Sequence, residues 1–161
     1  MRHNASKSYG FTLIELLVSL VLLALIVTSA APMMQLSAKR NKEQELKKSL
    51  WQIRDAIDAY KQATDDGLIK KSLGQSGYPP SLRQLSEGVE NIQDPKKRKI
   101  YFLRRIPRDP FATDTTLSAE ETWGKRSYSS SFDEPEAGDD IYDVYSLSKE
   151  IGINRQPYRE W

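Results

Sequence analysis

The side chain that most restricts the chemistry of this chain is Glu15, a carboxylate inside a long apolar run. Residues 11–31 contain no other ionisable side chain. As an α-helix, a run of this length spans about 31 Å, which matches the hydrocarbon core of a membrane. A carboxylate costs about 2.5–3.5 kcal/mol at the centre of a membrane and less near the interface, so Glu15 marks a candidate functional site.

The residues before this carboxylate indicate how the apolar run is processed. Residues 1–10 are mostly polar and end in Gly10. A secretory signal peptide would be cut after the apolar run, where residues 30–31 are small, but Pro32 would then follow the cut directly. A cut before the run would instead leave the apolar segment on the mature product.

Residues 10–15, Gly-Phe-Thr-Leu-Ile-Glu, resemble the prepilin cleavage and N-methylation motif of type IV pilins and of the pseudopilins of type II secretion. The resemblance implies that residues 1–10 are a leader peptide. It also implies that a membrane prepilin peptidase cuts between Gly10 and Phe11 and methylates the new amino terminus of Phe11. An uncleaved signal anchor is the alternative interpretation of the same residues.

Cleavage would give Glu15 a partner of opposite charge. The freed amino group of Phe11 lies four residues upstream and can pair with the carboxylate within one helix or, better, between neighbouring subunits of a filament. A slip of one residue would break the pair, so pairing can set the register of assembly. In the alternative, the carboxylate reaches the membrane interface and has no role.

Composition limits the other functions open to the chain. It has 24 Lys and Arg against 22 Asp and Glu, and loss of Arg2 and Lys7 with the leader leaves 22 of each, so net charge gives no support for nucleic-acid binding. The single histidine, His3, lies in the leader, and the chain has no cysteine. The mature chain therefore lacks imidazole and thiol groups, and we predict no catalytic residues.

Apolar spacing predicts a long helix in two parts. Residues 11–31 form the transmembrane helix, and residues 32–66 form its amphipathic continuation, with a kink at Pro32, which removes one backbone hydrogen bond. The continuation carries apolar residues at intervals of three and four and ends before Gly67. This apolar stripe consists of Leu46, Leu50, Ile53, Ile57 and Tyr60, with Ala56 and Ala63 beside it.

Residues 67–161 are predicted to form a small globular α/β domain of pilin-like type. We expect a short helix over residues 82–86, and strands over residues 100–103, 127–132 and 141–147. The strands could form a three-stranded antiparallel sheet that covers the apolar stripe, so the predicted fold class is α+β. We expect five aromatic side chains after the transmembrane helix to lie in the core, namely Trp51, Trp123, Tyr128, Tyr142 and Tyr145.

Further residues resemble the G-type, or major, pseudopilins of type II secretion. Asp109-Pro110-Phe111 and Trp123-Gly124 resemble the two halves of that family's Asp-Pro-Trp-Gly segment, separated here by an insert at residues 112–122. Residues 143–146, Asp-Val-Tyr-Ser, match its Asp-x-x-Ser strand, and the chain ends in Trp161 as those proteins do.

Six carboxylates lie between residues 133 and 143, a density of hard oxygen ligands that suits calcium. G-type pseudopilins carry a structural calcium site in the loop after the Asp-x-x-Ser strand. Residues 147–154 of this chain contain one carboxylate in that loop, so the family's ligands are not carried over. A relocated calcium site could use Asp139, Asp140 and Asp143; a solvated acidic turn is the alternative. No other cofactor is expected.

The resemblance implies a subunit that polymerises into a periplasmic pseudopilus and drives protein export. Its implied partners are other copies of itself, other pseudopilins, the prepilin peptidase, the inner-membrane assembly platform of the secretion system and the lipid bilayer. The implied location is the inner membrane, crossed once, with the C-terminal domain in the periplasm. Two other functions remain open: a minor type IV pilin serving pilus assembly, adhesion or DNA uptake, and a membrane-anchored periplasmic enzyme or binding domain.

Overall fold

The computed structural model describes residues 10–161, without the side chains of residues 29–32. The predicted leader therefore lies outside the described residues except for Gly10. Helix α1 spans Leu13–Asp65, as the apolar spacing predicts, and remains helical through position 32. The kink at Pro32 stays a prediction.

The chain forms two compact units that divide between Arg40 and Asn41. In the described part of the first unit, the apolar side chains of α1 are exposed; Leu20, for example, is 54% exposed. By its length and composition, α1 is able to cross a membrane. These apolar side chains have no protein core around them, as expected for a membrane-spanning segment.

In the second unit, the apolar stripe of α1 lies in the core. Leu46, Leu50, Ile53 and Ile57 are at most 2% exposed, so the predicted stripe is confirmed. The helix ends where predicted: Gly67 has φ of +72°, a conformation that glycine adopts without strain, and the Leu68 amide donates to the Ala63 carbonyl at 2.9 Å. The stripe packs against side chains from the rest of the unit, among them Leu82, Leu85, Val144 and Tyr158.

The remaining elements of this unit are short. Helix α2 spans Leu82–Glu87 and agrees with the predicted short helix. Strand β1 (Val89–Glu90) pairs antiparallel with β2 (Lys99–Ile100), and β3 (Trp123–Arg126) pairs antiparallel with β4 (Asp143–Ser146). Two 3₁₀ turns, at Glu120–Thr122 and Tyr158–Glu160, complete the described elements. A long N-terminal helix and small antiparallel sheets make the fold α+β, as predicted.

The predicted three-stranded sheet is wrong, because two of its strands form other structures. Beyond β2, the amides of Phe102 and Leu103 donate to the Leu85 carbonyl at 3.0 and 2.8 Å, which fixes this segment to the end of α2. Residues 127–132 form turns, and the strand lies earlier, at β3. Serine and aspartate side chains here bind nearby backbone groups and compete with strand pairing.

Candidate processing and assembly site

The start of α1 is fixed by a side-chain cap at Thr12. The Glu15 amide donates to Thr12 Oγ1 at 3.3 Å, and the Leu16 amide donates to the Thr12 carbonyl at 3.2 Å. Thr12 and Glu15 have the Thr-x-x-Glu spacing typical of a capping box. Sequence reasoning assigned no role to Thr12, although this spacing was a usable signal. The cap places Glu15 in the first helical turn, where the helix dipole favours a carboxylate.

The predicted cleavage point lies just outside this helix. Gly10 and Phe11 precede α1 and are exposed, so the peptide bond between them is accessible. A Cβ at Gly10 would meet no atom of the described residues within 4 Å. Packing among the described residues therefore does not require glycine at this position.

Polar groups in the described part of the apolar run differ in how they are satisfied. The Ser19 hydroxyl donates to the Glu15 carbonyl and the Thr28 hydroxyl to the Ala24 carbonyl, both at 2.7 Å, so the helix itself satisfies them. Within the described part of the chain, the Glu15 carboxylate accepts no hydrogen bond and forms no ion pair. In hydrocarbon it requires a partner from outside the described residues, such as an amino terminus.

In the second unit, Asp109 joins two segments of the G-type resemblance. Its side chain, in a residue only 2% exposed, accepts hydrogen bonds from the Ser146 hydroxyl at 2.6 Å and the Phe111 amide at 2.8 Å. The Asp109 amide donates to Thr122 Oγ1 at 3.2 Å. The Asp-Pro segment is thereby fixed to β4 and to the residue that precedes β3.

The structure also brings together the halves that the insert separates. The Trp123 indole donates to the Pro107 carbonyl at 2.8 Å, and residues 113–118 of the insert are exposed. The Tyr145 ring lies over Gly124, where a Cβ would come within 2.2 Å of a ring carbon. A glycine is therefore required at this position of β3 for Tyr145 to pack across the strand pair.

The three carboxylates considered for calcium are not grouped together among the described residues. Asp143 pairs with Arg54 Nε at 2.8 Å and Arg126 Nη2 at 3.3 Å, and Asp139 is exposed. Among the described residues, no group of three carboxylate, imidazole or thiolate ligands is placed to hold a metal ion. Calcium would have to displace arginine from Asp143, so binding stays a prediction to be tested by thermal unfolding with calcium and with a chelator.

Asp140, the third of these carboxylates, binds three donors from the chain. The Ser127 hydroxyl and the Tyr128 amide donate to it at 2.8 and 2.9 Å, and the Ser76 hydroxyl donates as well. Burial raises the pKa of the Asp140 carboxyl, but these hydrogen bonds outweigh burial and lower the pKa below its ordinary value. The carboxylate thus stabilises a turn.

The C-terminal segment is fixed to α1 through Glu43. Its carboxylate accepts hydrogen bonds from the Tyr158 hydroxyl at 2.9 Å and from the Ile153 amide at 2.7 Å. The Tyr158 ring stacks on Phe111 and meets Trp161 edge-on. Sequence reasoning missed this contact, because Glu43 and Tyr158 are 115 residues apart and neither lies in a motif.

Comparison with known proteins supports the resemblance both in the N-terminal motif and in the rest of the chain. Residues 5–31 match the family model described as the prokaryotic N-terminal methylation motif. Type II secretion system core protein G of Klebsiella michiganensis is 25% identical over 154 residues, covering 92% of this chain and 99% of that protein. The protein of the same name from Klebsiella pneumoniae is 26% identical over 84% of this chain and 93% of its own length.

A third relative with this name, from Vibrio cholerae, is 25% identical over 67% of this chain and 68% of its own length. No solved structure matches the chain significantly. The similarity to core protein G therefore extends far beyond the N-terminal motif, and the resemblance predicted from the sequence is confirmed.

Proposed function

We propose that this protein is a pseudopilin subunit of a type II secretion system, with a structural rather than a catalytic role. The chain is made as a precursor, cut after Gly10 by a prepilin peptidase and methylated at Phe11. The mature subunit polymerises through the apolar part of α1 into a periplasmic pseudopilus whose motion exports folded proteins. Similarity to core protein G over nearly the full chain favours this function over that of a minor type IV pilin.

One observation carries the proposal: α1 begins two residues after Phe11 with an exposed apolar part, and the single carboxylate of that part, Glu15, has no partner among the described residues. A subunit with this helix is stable in a lipid bilayer, or in a filament whose other subunits cover the apolar side chains. In both environments Glu15 gains from an amino terminus of opposite charge, which cleavage at Gly10 supplies.

The proposed location and partners follow from this function. Residues 11–31 cross the inner membrane, residues 32–66 continue the helix, and residues 67–161 lie in the periplasm. The subunit binds other copies of itself, other pseudopilins and the inner-membrane assembly platform. Movement of the filament requires energy from another component.

Mass spectrometry of the mature N-terminus tests the processing step. We expect the mature chain to begin at Phe11, with one methyl group on its amino nitrogen. An intact Met1 in protein purified from a cell with an active prepilin peptidase would contradict the proposal.

Substitution of Glu15 tests the assembly step. Glu15→Ala should leave cleavage unchanged and lower the yield of filaments at least about tenfold, since a pairing worth about 1.4 kcal/mol is lost. Glu15→Asp keeps the charge and is the matched control, for which we expect partial assembly. Filaments at the wild-type level from Glu15→Ala would exclude charge pairing as the basis of assembly.

A further inference from the structure

One exposed face of α1 in the second unit has an unusual distribution of charge. The side chains opposite the apolar stripe recur every three to four residues and therefore form a continuous line along the helix. We call this line the outer stripe. Its members, all exposed, are Gln44, Lys47, Lys48, Trp51, Asp55, Asp58, Gln62, Asp65 and Asp66.

Charges of opposite sign are separated along the outer stripe. Lys47 and Lys48 lie toward its N-terminal end, and the four aspartates lie beyond Trp51. Like charges three or four residues apart on a helix repel each other, and an isolated helix gains from alternating signs instead. Among the like charges of the outer stripe only Asp55 and Asp58 have this spacing, while the separation of the two signs is complementary to a second copy displaced along the helix axis.

Contacts within the subunit satisfy only part of this charge. Lys61 pairs with Asp65, the Gln62 amide donates to Asp66 at 2.9 Å, and Lys47 Nζ lies 4.6 Å from the centre of the Trp161 ring. Among the described residues, no ion pair is formed by Lys48, Asp55 or Asp58. Asp66, like Lys48, forms no ion pair among the described residues, so these two charges remain available to a partner, whereas Asp65 would share its carboxylate with Lys61.

The spacing of the charges defines one displacement. Eighteen residues make five turns, so residues eighteen apart lie on the same side of a helix, about 27 Å from each other. Lys47 has this spacing to Asp65, and Lys48 has it to Asp66. In the sequence, Arg40 has the same spacing to Asp58.

We propose that the outer stripe binds a second copy of this chain, with parallel helices displaced by about 27 Å, so that Lys47 and Lys48 of one copy face Asp65 and Asp66 of the other. This contact rests on the proposed function, because parallel copies at regular displacement occur in a filament. Pairing of the Phe11 amino group with the Glu15 of a neighbour requires a displacement of four residues, about 6 Å. Each subunit then has two kinds of neighbour, as in a helical assembly.

Trp51 provides a second observation for the same surface. The residue is 67% exposed, contrary to the expectation that it lies in the core, and it stands between the basic and acidic ends of the outer stripe. Tryptophan is enriched where proteins bind each other, because its large ring gains most from burial. A neighbour on the outer stripe would cover this ring, and tryptophan emission should shift to shorter wavelength on assembly. Trp51→Phe removes that part of the shift.

Cross-linking between engineered cysteines tests the displacement directly, because the natural chain contains no cysteine. Two full-length copies with different tags are co-expressed, one carrying Lys48→Cys and the other Asp66→Cys, and filaments are treated with a short bismaleimide. We expect a cross-linked pair of the two tagged copies. The matched control combines Lys48→Cys with Asp55→Cys. Position 55 is on the same stripe but lies about 16 Å along the helix from position 66, the proposed partner of Lys48.

Charge reversal tests whether the contact contributes to assembly. Lys47→Glu with Lys48→Glu, and separately Asp65→Lys with Asp66→Lys, should each lower filament yield at least about tenfold, because like charges then face each other. All four changes in one chain restore opposite charges and should return the yield to within about twofold of wild type. Thermal unfolding of each variant identifies any loss of folding.

The outcomes separate this inference from the proposed function. Filaments that form with no 48–66 cross-link, or with a stronger 48–55 cross-link, overturn the displacement and leave the pseudopilin function intact. If the variant with all four charge changes remains folded but does not recover filament yield, the contact is also overturned. A wild-type chain that forms no filaments with its secretion partners present contradicts the proposed function, and the inference falls with it.

Discussion

The two parts of helix α1 differ in what covers their apolar side chains. Leu46 and Leu50 are at most 2% exposed within the second unit, whereas Leu20 in the first unit is 54% exposed. Burial of the former contributes to folding of the subunit, while the latter gains free energy only from lipid or from other subunits. Folding and assembly therefore depend on separate residues of one helix, and each can be changed without the other.

A matched pair of leucines provides the largest expected effect. Leu50→Ala removes a buried side chain and should lower the free energy of unfolding by about 2–5 kcal/mol, since it leaves a cavity. Leu20→Ala makes the same chemical change on an exposed surface and should alter it by less than about 0.5 kcal/mol. Denaturant unfolding of the full chain in detergent, followed by near-UV circular dichroism, measures both.

An equal loss of stability in the two variants would mean that the apolar surface of the first unit is also part of the folded core. The comparison between the parts of α1 would then be wrong. Filament yield should fall for Leu20→Ala although its domain stays folded, because Leu20 lies in the proposed assembly surface.

The second unit contains a similar contrast, between Asp109 and the exposed insert. Asp109→Ala leaves the Ser146 hydroxyl and the Phe111 amide without their acceptor and should cost about 2–4 kcal/mol, because both donors are buried or close to the core. Asp114→Ala, in the insert, removes hydrogen bonds to Thr116 only and should cost less than about 0.5 kcal/mol. Thermal unfolding distinguishes the two, and a small effect at Asp109 would show that solvent replaces its contacts.

Short sequence patterns correctly predicted the elements that are stabilised by interactions between residues close in the sequence. The apolar stripe and the end of α1 before Gly67 could be predicted because helical spacing and glycine conformation act over a few residues. The strand at residues 127–132 could not be excluded this way, because the carboxylate that binds Ser127 and Tyr128 is Asp140, a dozen residues further along. The aromatic residues of this segment are typical of a strand, but side-chain hydrogen bonds to its backbone stabilise turns instead.

The candidate sites divide in the same way. The cleavage and assembly motif is a short run, so Gly10, Phe11 and Glu15 could be singled out directly, and Thr12 was within reach of the same reasoning. Asp109 and Ser146 were singled out as parts of the G-type resemblance, but their contact across 37 residues could not be predicted from the sequence. Charge separation on the outer stripe could also have been found from the sequence, because the predicted apolar stripe defines the opposite face of α1.

The smallest expected effect concerns Tyr158, which connects the C-terminal segment to α1. Burial and the hydrogen bond to Glu43 raise the pKa of the Tyr158 hydroxyl. A raised pKa means that its contribution to stability is complete below the ordinary tyrosine value of about 10 and is lost as pH rises beyond it. Tyr158→Phe should cost about 0.5–1.5 kcal/mol at pH 7, with the ring stacking kept, and should reduce the loss of stability at alkaline pH.

Tyr101→Phe is the matched control, because the ring of Tyr101 is exposed and should change neither quantity. Unfolding of the three proteins between pH 7 and about 11 measures the difference. If Tyr158→Phe and wild type lost stability in parallel above pH 10, the Glu43 contact would not contribute to folding. The C-terminal segment would then be held by its other contacts with α1, which include apolar packing, the hydrogen bond from the Ile153 amide to Glu43 and that from Arg54 to the Trp161 carbonyl.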